Sequence, residues 1–466
     1  LLRFFKINDP YRLVAVLLFT GLLSIPLFVS PEDITIQQLK NFVLGEAITD
    51  GKTMYAQIFD QTPILFAWIL GILDFVFGRS IVASKVVSLL IIFFQASYFS
   101  MVLIKNKVYS ENNYLPALIF VVISFFSFDL TWVTPELLGA GFLLLAIDNL
   151  FKEVEFKTQR DETILNLGLW IGLASLIIFS YSIFLIGTLL ILIAFTRLTL
   201  RRGLVLIFGF LLPHLLVILP YYFWGHLPFL ITNFYAPNFT FHTDSLMSMS
   251  SIFKLGSLVI FYLLSSWFIL NREARFTKYQ SQILQVMFLW LVLACVEIIF
   301  TRERTPHSFV TLLPPLTYFV SHYLLLIRRR WIGEMMLWSF VIGVPLLSLL
   351  GRNGTFSSID YSKLEIPALK KNLVFKEKKV LVLSDDFSVY KNNQMASYFL
   401  NWNLSREVFD HPEYFENVIW VSDSFDEDLP QIIIDPQDRM KKFFDRLPNY
   451  KNRYRREGEL YKLISN

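Results

Sequence analysis

A run of about twenty apolar residues can cross a bilayer as a helix, and in lipid only a helix or a closed barrel satisfies its own backbone groups. With the shorter stretch Ile64–Phe77 left aside, this sequence holds eleven apolar runs. They are Leu13–Val29, Ser80–Ile104, Leu115–Phe128, Val133–Phe151, Ile164–Ser180, Ser182–Phe195, Gly203–Phe223, Ile252–Leu270, Ser281–Phe300, Phe309–Ile327 and Trp331–Leu350. The pattern predicts an all-α polytopic membrane protein of about eleven transmembrane helices. Composition agrees: 55% of the residues are hydrophobic and 17% charged, against about 25% charged in an ordinary soluble protein.

The charges in the loops set the expected topology. Cytoplasmic loops are rich in Lys and Arg. With a cytoplasmic N-terminus, the inner segments carry Arg3, Lys6 and Arg12, then Lys105 and Lys107, then Lys152, Lys157 and Arg160. Further along they carry Arg197, Arg201 and Arg202, then Arg272, Arg275 and Lys278, and finally Arg328, Arg329 and Arg330. Between Trp224 and Ser251 there is no Lys or Arg. The stretch Ile64–Phe77 is apolar too, but at about 14 residues it is short of a span. If it crossed, every later segment would flip and the basic loops would face outward. It is therefore expected to lie on the outer surface, its apolar side in the interface.

Two domains follow. Residues 1–351 form a transmembrane module, with residues 30–79 as one large outer loop holding surface helices. Residues 352–466 form an extracytoplasmic α/β domain. In that tail "KKVLVLSDD", "NVIWVSDSF" and "QIIIDP" read as strands. "NQMASYFLNWNL" and "DRMKKFFDRLPNYKNRY" read as helices. The alternation suggests one small α/β unit. The first apolar run, with no small-residue cleavage pattern after it, is expected to be a retained anchor. A net charge of +4 does not suggest nucleic acid as a partner. Cys295 is the only cysteine, so no intramolecular disulfide and no cysteine-based metal site is expected.

Several polar residues stand where chemistry could occur. Glu32 and Asp33 directly follow the first span, at the mouth of any cavity between the helices. Two readings stay open there: a catalytic carboxylate, or an acidic pair capping the next helix. Glu136 lies at the outer end of the fourth span. Arg302 and Arg304 sit in an outer loop poor in cations, where they could bind an anion, anchor the topology or pair with Glu297 and Glu303. His214, beside Pro213, reads as a satisfied residue at a kink. Asp148 and His322 lie near cytoplasmic ends and are expected to reach the headgroups. His226, His242 and Asp244 share a loop, but their spacing is not that of a metal site. "SDD" reads as a structural turn, because no Gly-rich loop follows it.

The outer loop "SPEDITIQQLKNFVLGEAITDGKTMYAQIFDQTPILFAWILGILDFVFGRS" resembles that of the GT-C glycosyltransferases that use polyprenyl-phosphate sugars. Their pattern is an acid after the first helix, an amphipathic helix, a G-x-x-x-Y-x-D phrase, a K-P-P-L turn, a surface helix and F-G-x-S. "TRERTPHSFVTLLPPLTYF" is similar to their late R-x-x-H-Y-x-L-P-x-x-P phrase. Gln61 and Thr62 replace the usual Lys and first Pro, Lys85 replaces an Arg, and Glu32-Asp33 reverses the usual order.

The resemblance implies an inverting hexosyl- or pentosyltransferase of the cell envelope, facing outward from a bacterial inner membrane. Its partners would be a polyprenyl-phosphate sugar donor, membrane lipid and a glycan, lipid or protein acceptor. Asp33 would be the general base, with Glu32 beside it and Glu136 holding the acceptor or a metal. Arg302, Arg304, His307 and Lys85 would bind the donor phosphate, and Tyr55, Asp60 and Gln61 would form the substrate loop. No cofactor is required by the sequence, and a divalent metal is compatible with the acids. Two other readings stay open: an inactive GT-C-like component of an assembly or secretion system, and a transporter or flippase. The latter class often has repeats and broken midplane helices, which are not evident here.

Overall fold

The computed structural model describes residues 1–29, 34–156, 160–239, 244–273, 276–356, 358–366 and 375–464. Glu32, Asp33 and His242 lie outside the described residues. The chain divides into two compact units. One comprises Leu1–Glu32, Ile81–Pro220 and Thr240–Lys363, and the other Asp33–Ser80, Tyr221–Phe239 and Leu364–Asn466.

The first unit is helical. Among the described residues six of its helices are long and apolar enough to cross a membrane. They are Arg12–Val29, Ile81–Lys105, Leu200–Phe223, Lys278–Phe300, Pro306–Leu326 and Arg330–Arg352. Met249–Leu255 and Ser257–Leu270, bent by 65°, make a seventh if taken as one span. The other four apolar runs also carry helices: Leu115–Ser124, Pro135–Phe156, Asp161–Ile177 and Ile183–Phe195. Leu115–Ser124 has only 10 residues, about 15 Å of helix. All ten are buried, so this run is bundle core.

With no hydrophobic force between helices in lipid, close packing must join them. Glycines do so between Asp161–Ile177 and Leu200–Phe223. A Cβ on Gly168 would stand 2.2 Å from the Leu206 carbonyl oxygen, and one on Gly172 would stand 2.4 Å from that of Phe210. From the facing helix, a Cβ on Gly209 would stand 2.4 Å from the Leu165 oxygen. These contacts require backbone against backbone. Strands β1 (Asp244–Ser245) and β2 (Glu303–Arg304) pair in parallel and tie two loops of this unit together.

The second unit contains a five-stranded sheet. Its strands are β3 (Lys379–Val382), β4 (Gln394–Met395), β5 (Ile432–Ile434), β6 (Tyr454–Glu457) and β7 (Leu460–Leu463), in the order β4-β3-β5-β7-β6. Strands β3, β4 and β5 are parallel, and β7 runs antiparallel to both β5 and β6. Gly458, at φ +65°, opens the two-residue β6–β7 turn, a position that favours glycine.

Two readings of the tail are corrected. "NVIWVSDSF" lies in the helix Phe415–Glu427, with Val418, Val421 and Phe425 buried at helical spacing. "NQMASYFLNWNL" begins with β4, and its helix starts only at Trp402, capped by the Asn401 side chain. The "SDD" stretch is a turn, with Asp386 accepting the Ser388 amide hydrogen at 3.1 Å.

The outer-loop segment belongs to this second unit. Phe59 is part of the sheet's core with Leu381, Phe399, Phe409 and Ile433. Its amide donates to the Tyr398 carbonyl at 2.7 Å, and its carbonyl accepts from the Asn401 amide at 2.9 Å. Ile36–Thr49 is capped by Thr35, whose hydroxyl accepts from the Gln38 amide. It crosses Ile64–Phe77 at Gly45, where a Cβ would stand 2.9 Å from the Leu70 oxygen. Ile64–Phe77 has 14 residues, about 21 Å against a hydrocarbon core of about 30 Å. One face is buried at Ile64, Ala67 and Gly71, and the other exposes Trp68, Ile72, Phe75 and Val76. Asp74 is half-buried on this helix, and burial raises its carboxyl above the ordinary range.

Candidate functional site

In the helical unit, the polar residues of interest gather where several helices begin or end. Pro135 starts the helix Pro135–Phe156 and the Thr134 hydroxyl accepts from the Leu137 amide at 3.2 Å, so Glu136 falls in the first turn. The preceding turn of 3₁₀ helix, Phe128–Thr131, carries Asp129. A second 3₁₀ segment, Pro306–Leu312, carries His307.

Asp129 ties these pieces together. One carboxylate oxygen accepts the Ser127 hydroxyl at 2.6 Å. The other accepts the His307 amide at 3.3 Å and faces His307 Nδ1 at 3.0 Å. Because a carboxylate accepts, Nδ1 carries a hydrogen in this arrangement. His307 Nε2 then stands 3.5 Å from Glu136 Oε2. All three side chains are buried. Glu136 Oε2 is buried with no hydrogen-bond partner among the described residues. An unpaired buried carboxylate oxygen is costly, so its nearness to the imidazole matters.

Glu297 lies close by in the fold, at the end of Lys278–Phe300. Among the described residues its hydrogen-bond partners are hydroxyls. Ser180 and Thr301 donate to Oε1 at 2.6 and 2.7 Å, and Thr311 donates to Oε2 at 3.3 Å. Arg304 uses one guanidinium nitrogen to hold the Ile299 carbonyl at 2.9 Å, while its Nε is buried without a hydrogen bond. Arg302 is half-buried in the same loop. Lys85 is buried and donates to the Leu27 carbonyl at 2.7 Å, with its ammonium 5.0 Å from the Trp132 ring. Trp132 lies between Asp129 and Glu136 in the chain, so Lys85 belongs to the same corner of the unit.

An apolar groove of about 310 Å³ opens along Arg12–Val29 and Arg330–Arg352. Leu22, Pro26, Trp338, Pro345 and Leu346 line it, and Phe128 and Arg352 close one end. The Arg352 guanidinium sits 5.0 Å over the Phe128 ring.

The residues of the G-x-x-x-Y-x-D phrase lie in the second unit. Tyr55 and Asp60 are fully buried. Tyr55 adopts φ +67° and its hydroxyl donates to the Thr62 carbonyl at 2.8 Å. Asp60 Oδ1 pairs with the Lys40 ammonium at 2.6 Å and accepts from Asn401 at 3.3 Å. Its Oδ2 accepts from the Thr62 amide and hydroxyl. Burial pushes the Asp60 carboxyl up, but Lys40 and these hydrogen bonds outweigh it and hold it below the ordinary value. Gln61 is half-buried beside them.

The structure thus brings Glu136 and His307 together, with Asp129 as a partner that sequence reasoning missed. "SFDLTW" offers only a Ser two residues before an Asp, a weak signal. Asp148 and His322, expected to reach the headgroups, are instead buried. His214 meets the Ser175 hydroxyl at 2.8 Å, and Asp148 pairs with Lys152 at 2.5 Å. Among the described residues no group of three His, Cys, Asp or Glu side chains could hold a metal ion.

No protein-family model and no curated protein matches the sequence. The structure does match ArnT from Cupriavidus metallidurans in the apo state. The TM-score is 0.54 at 13% identity, over 86% of this chain and 88% of that one. This is the GT-C fold. Two further GT-C structures are similar at lower scores. ArnT from the same organism bound to undecaprenyl phosphate gives 0.47 at 14% identity, over 77% of this chain and 66% of that one. The Archaeoglobus fulgidus oligosaccharyltransferase in the apo form gives 0.48 at 9% identity, over 91% of this chain and 69% of that one. With its apolar helices, the GT-C fold makes this an integral membrane protein.

Proposed function

We propose that the protein is a glycosyltransferase that moves a sugar from a polyprenyl-phosphate donor to an acceptor on the extracytoplasmic face, with inversion. The observation that carries this reading is the fold shared with ArnT, a lipid A aminoarabinose transferase, over most of both chains. The transmembrane module of residues 1–351 supplies the chemistry, and residues 352–466 lie outside. Asp33 takes the proton of the acceptor hydroxyl, with Glu32 as its neighbour. The acceptor oxygen bonds to the anomeric carbon as the bond to the lipid phosphate breaks. A positioned carboxylate contributes about a hundredfold to ten-thousandfold to such a step.

Glu136 receives the acceptor's hydroxyl as a hydrogen bond. Arg302, Arg304, Lys85 and His307 stabilise the charge that grows on the leaving phosphate. The apolar groove ends at Phe128, next in sequence to Asp129, and offers the lipid chain a path toward this corner. ArnT has been captured with undecaprenyl phosphate, a lipid of the proposed donor class.

One observation favours a second reading, an inactive component of an assembly or secretion system. Tyr55 and Asp60 are wholly occupied with neighbours in the second unit. The test is transfer by the purified full chain in lipid nanodiscs, offered a panel of polyprenyl-phosphate sugars and mixed acceptors. Release of polyprenyl phosphate by the wild type, and its loss in Asp33→Asn, is the expected result. No release from any donor favours the second reading.

A further inference from the structure

We infer that Asp129 is a positioning residue of the transfer site, orienting His307 so that Nε2 faces the Glu136 carboxylate. The inference rests on the proposed glycosyl transfer. Three donors converge on the Asp129 carboxylate: the Ser127 hydroxyl, the His307 amide and His307 Nδ1. Two of them come from the same histidine, so backbone and ring are fixed at once. A carboxylate at Nδ1 holds a hydrogen there, and Nε2 needs a hydrogen of its own to donate to a carboxylate on the opposite side. That side is Glu136 Oε2, 3.5 Å away and without a hydrogen bond of its own.

Glu136 is held from behind and from its own helix start, where Thr134 meets its carboxyl. Its backbone carbonyl accepts the Tyr181 hydroxyl at 3.4 Å. The remaining oxygen, Oε2, is the one that faces His307. A purely architectural Asp129 would join the 3₁₀ turn to the loop at residue 305 just as well with an amide in its place. A positioning Asp129 would not, because an amide can donate to Nδ1 and so displace the hydrogen there. In the serine-protease triad the equivalent change leaves geometry intact and selects the wrong tautomer.

The experiment uses the full chain in nanodiscs with isotopically labelled histidine. The sequence has six histidines, so subtracting the spectrum of His307→Gln identifies the His307 ring nitrogens. In Asp129→Asn the Nδ1 signal is expected to change from hydrogen-bearing to bare, while Nε2 keeps its hydrogen. The kcat for transfer should fall about a hundredfold or more, with donor KM within about twofold and melting temperature unchanged. Asp129→Glu should restore part of kcat. Should Asp129→Asn fail to fold, Ser127→Ala removes one donor only and should lower kcat severalfold.

Unchanged ring signals in Asp129→Asn, or wild-type kcat in that variant, overturn the inference. A wild type that transfers nothing removes the catalytic role of Asp129 along with the proposed function. In that outcome a changed Nδ1 signal shows that the orientation itself is right.

Discussion

The Lys40 ammonium stands 2.6 Å from Asp60, a carboxylate with no exposed surface. Removing one partner of a buried pair leaves the other charge uncompensated and costs about 3–5 kcal/mol. Lys40→Met should therefore lower the melting temperature of the second unit sharply. Asp60→Asn should do so less, because Asn can still engage Thr62. The sign with pH follows from the depressed Asp60 carboxyl. Its stabilisation is complete above the ordinary carboxylate value and is lost as pH falls below that value toward the folded one. Acid unfolding followed by tryptophan fluorescence, in wild type and Asp60→Asn, checks this. A variant that unfolds at the same pH as wild type refutes the assignment.

Asp33→Asn and Glu136→Gln should separate two roles. The first should lower kcat about a hundredfold to ten-thousandfold. The second should raise the acceptor KM as well, since Glu136 is proposed to hold the hydroxyl. Steady-state transfer at varied acceptor concentration distinguishes them. Near-normal transfer by folded Asp33→Asn would move the base to Glu32.

Arg302→Lys and Arg304→Lys should weaken donor binding, because a guanidinium fork meets phosphate oxygens in a way an ammonium does not. Topological anchoring predicts that both changes are harmless. Donor affinity of the two single variants and the double variant decides, and unchanged values in all three exclude the phosphate site.

Ile64–Phe77 should lie on the outer surface and the C-terminus should be external. The helix is too short to span, and it is packed on Ile36–Thr49 in the unit that holds the sheet. Reporter fusions after Gly78 and after Asn466 should both read as extracytoplasmic. A cytoplasmic signal at Gly78 counts against the surface helix.

Gly172→Leu should break the packing of Asp161–Ile177 on Leu200–Phe223. A Cβ alone would stand 2.4 Å from a carbonyl oxygen. Backbone cannot give way as a flexible side chain can, so the loss should exceed the about 1–3 kcal/mol of ordinary overpacking. Loss of monodisperse protein in detergent is the readout, with Gly21→Leu, where no atom lies within 4 Å of the added Cβ, as the tolerant control.

What could be read in the sequence was what is local and periodic. All eleven apolar runs carry helices, because twenty apolar residues in lipid have few other options. The GT-C resemblance rested on short phrases in the loop, and the fold agrees with it. The pair Asp129 and His307 was hidden, because 178 positions separate them and neither sits in a spaced motif with the other. "NVIWVSDSF" misled through its β-branched residues, whose strand preference depends on context. Its buried positions Val418, Val421 and Phe425 follow helical spacing instead. Strands β6 and β7 went unread because half of "YRREGELYKL" is charged, and only Gly458 hints at the turn.

The second unit is assembled from three stretches that lie far apart in the chain. Asp60 and Asn401, which are hydrogen-bonded, are separated by 341 positions. At roughly 5–20 residues per second, the ribosome needs on the order of tens of seconds between making one and making the other. Throughout that interval Phe59 and the Lys40–Asp60 pair exist without the sheet that buries them. Premature termination anywhere before the last strands would strand them permanently. Proteases and chaperones would thus meet this protein first at the segment around Phe59.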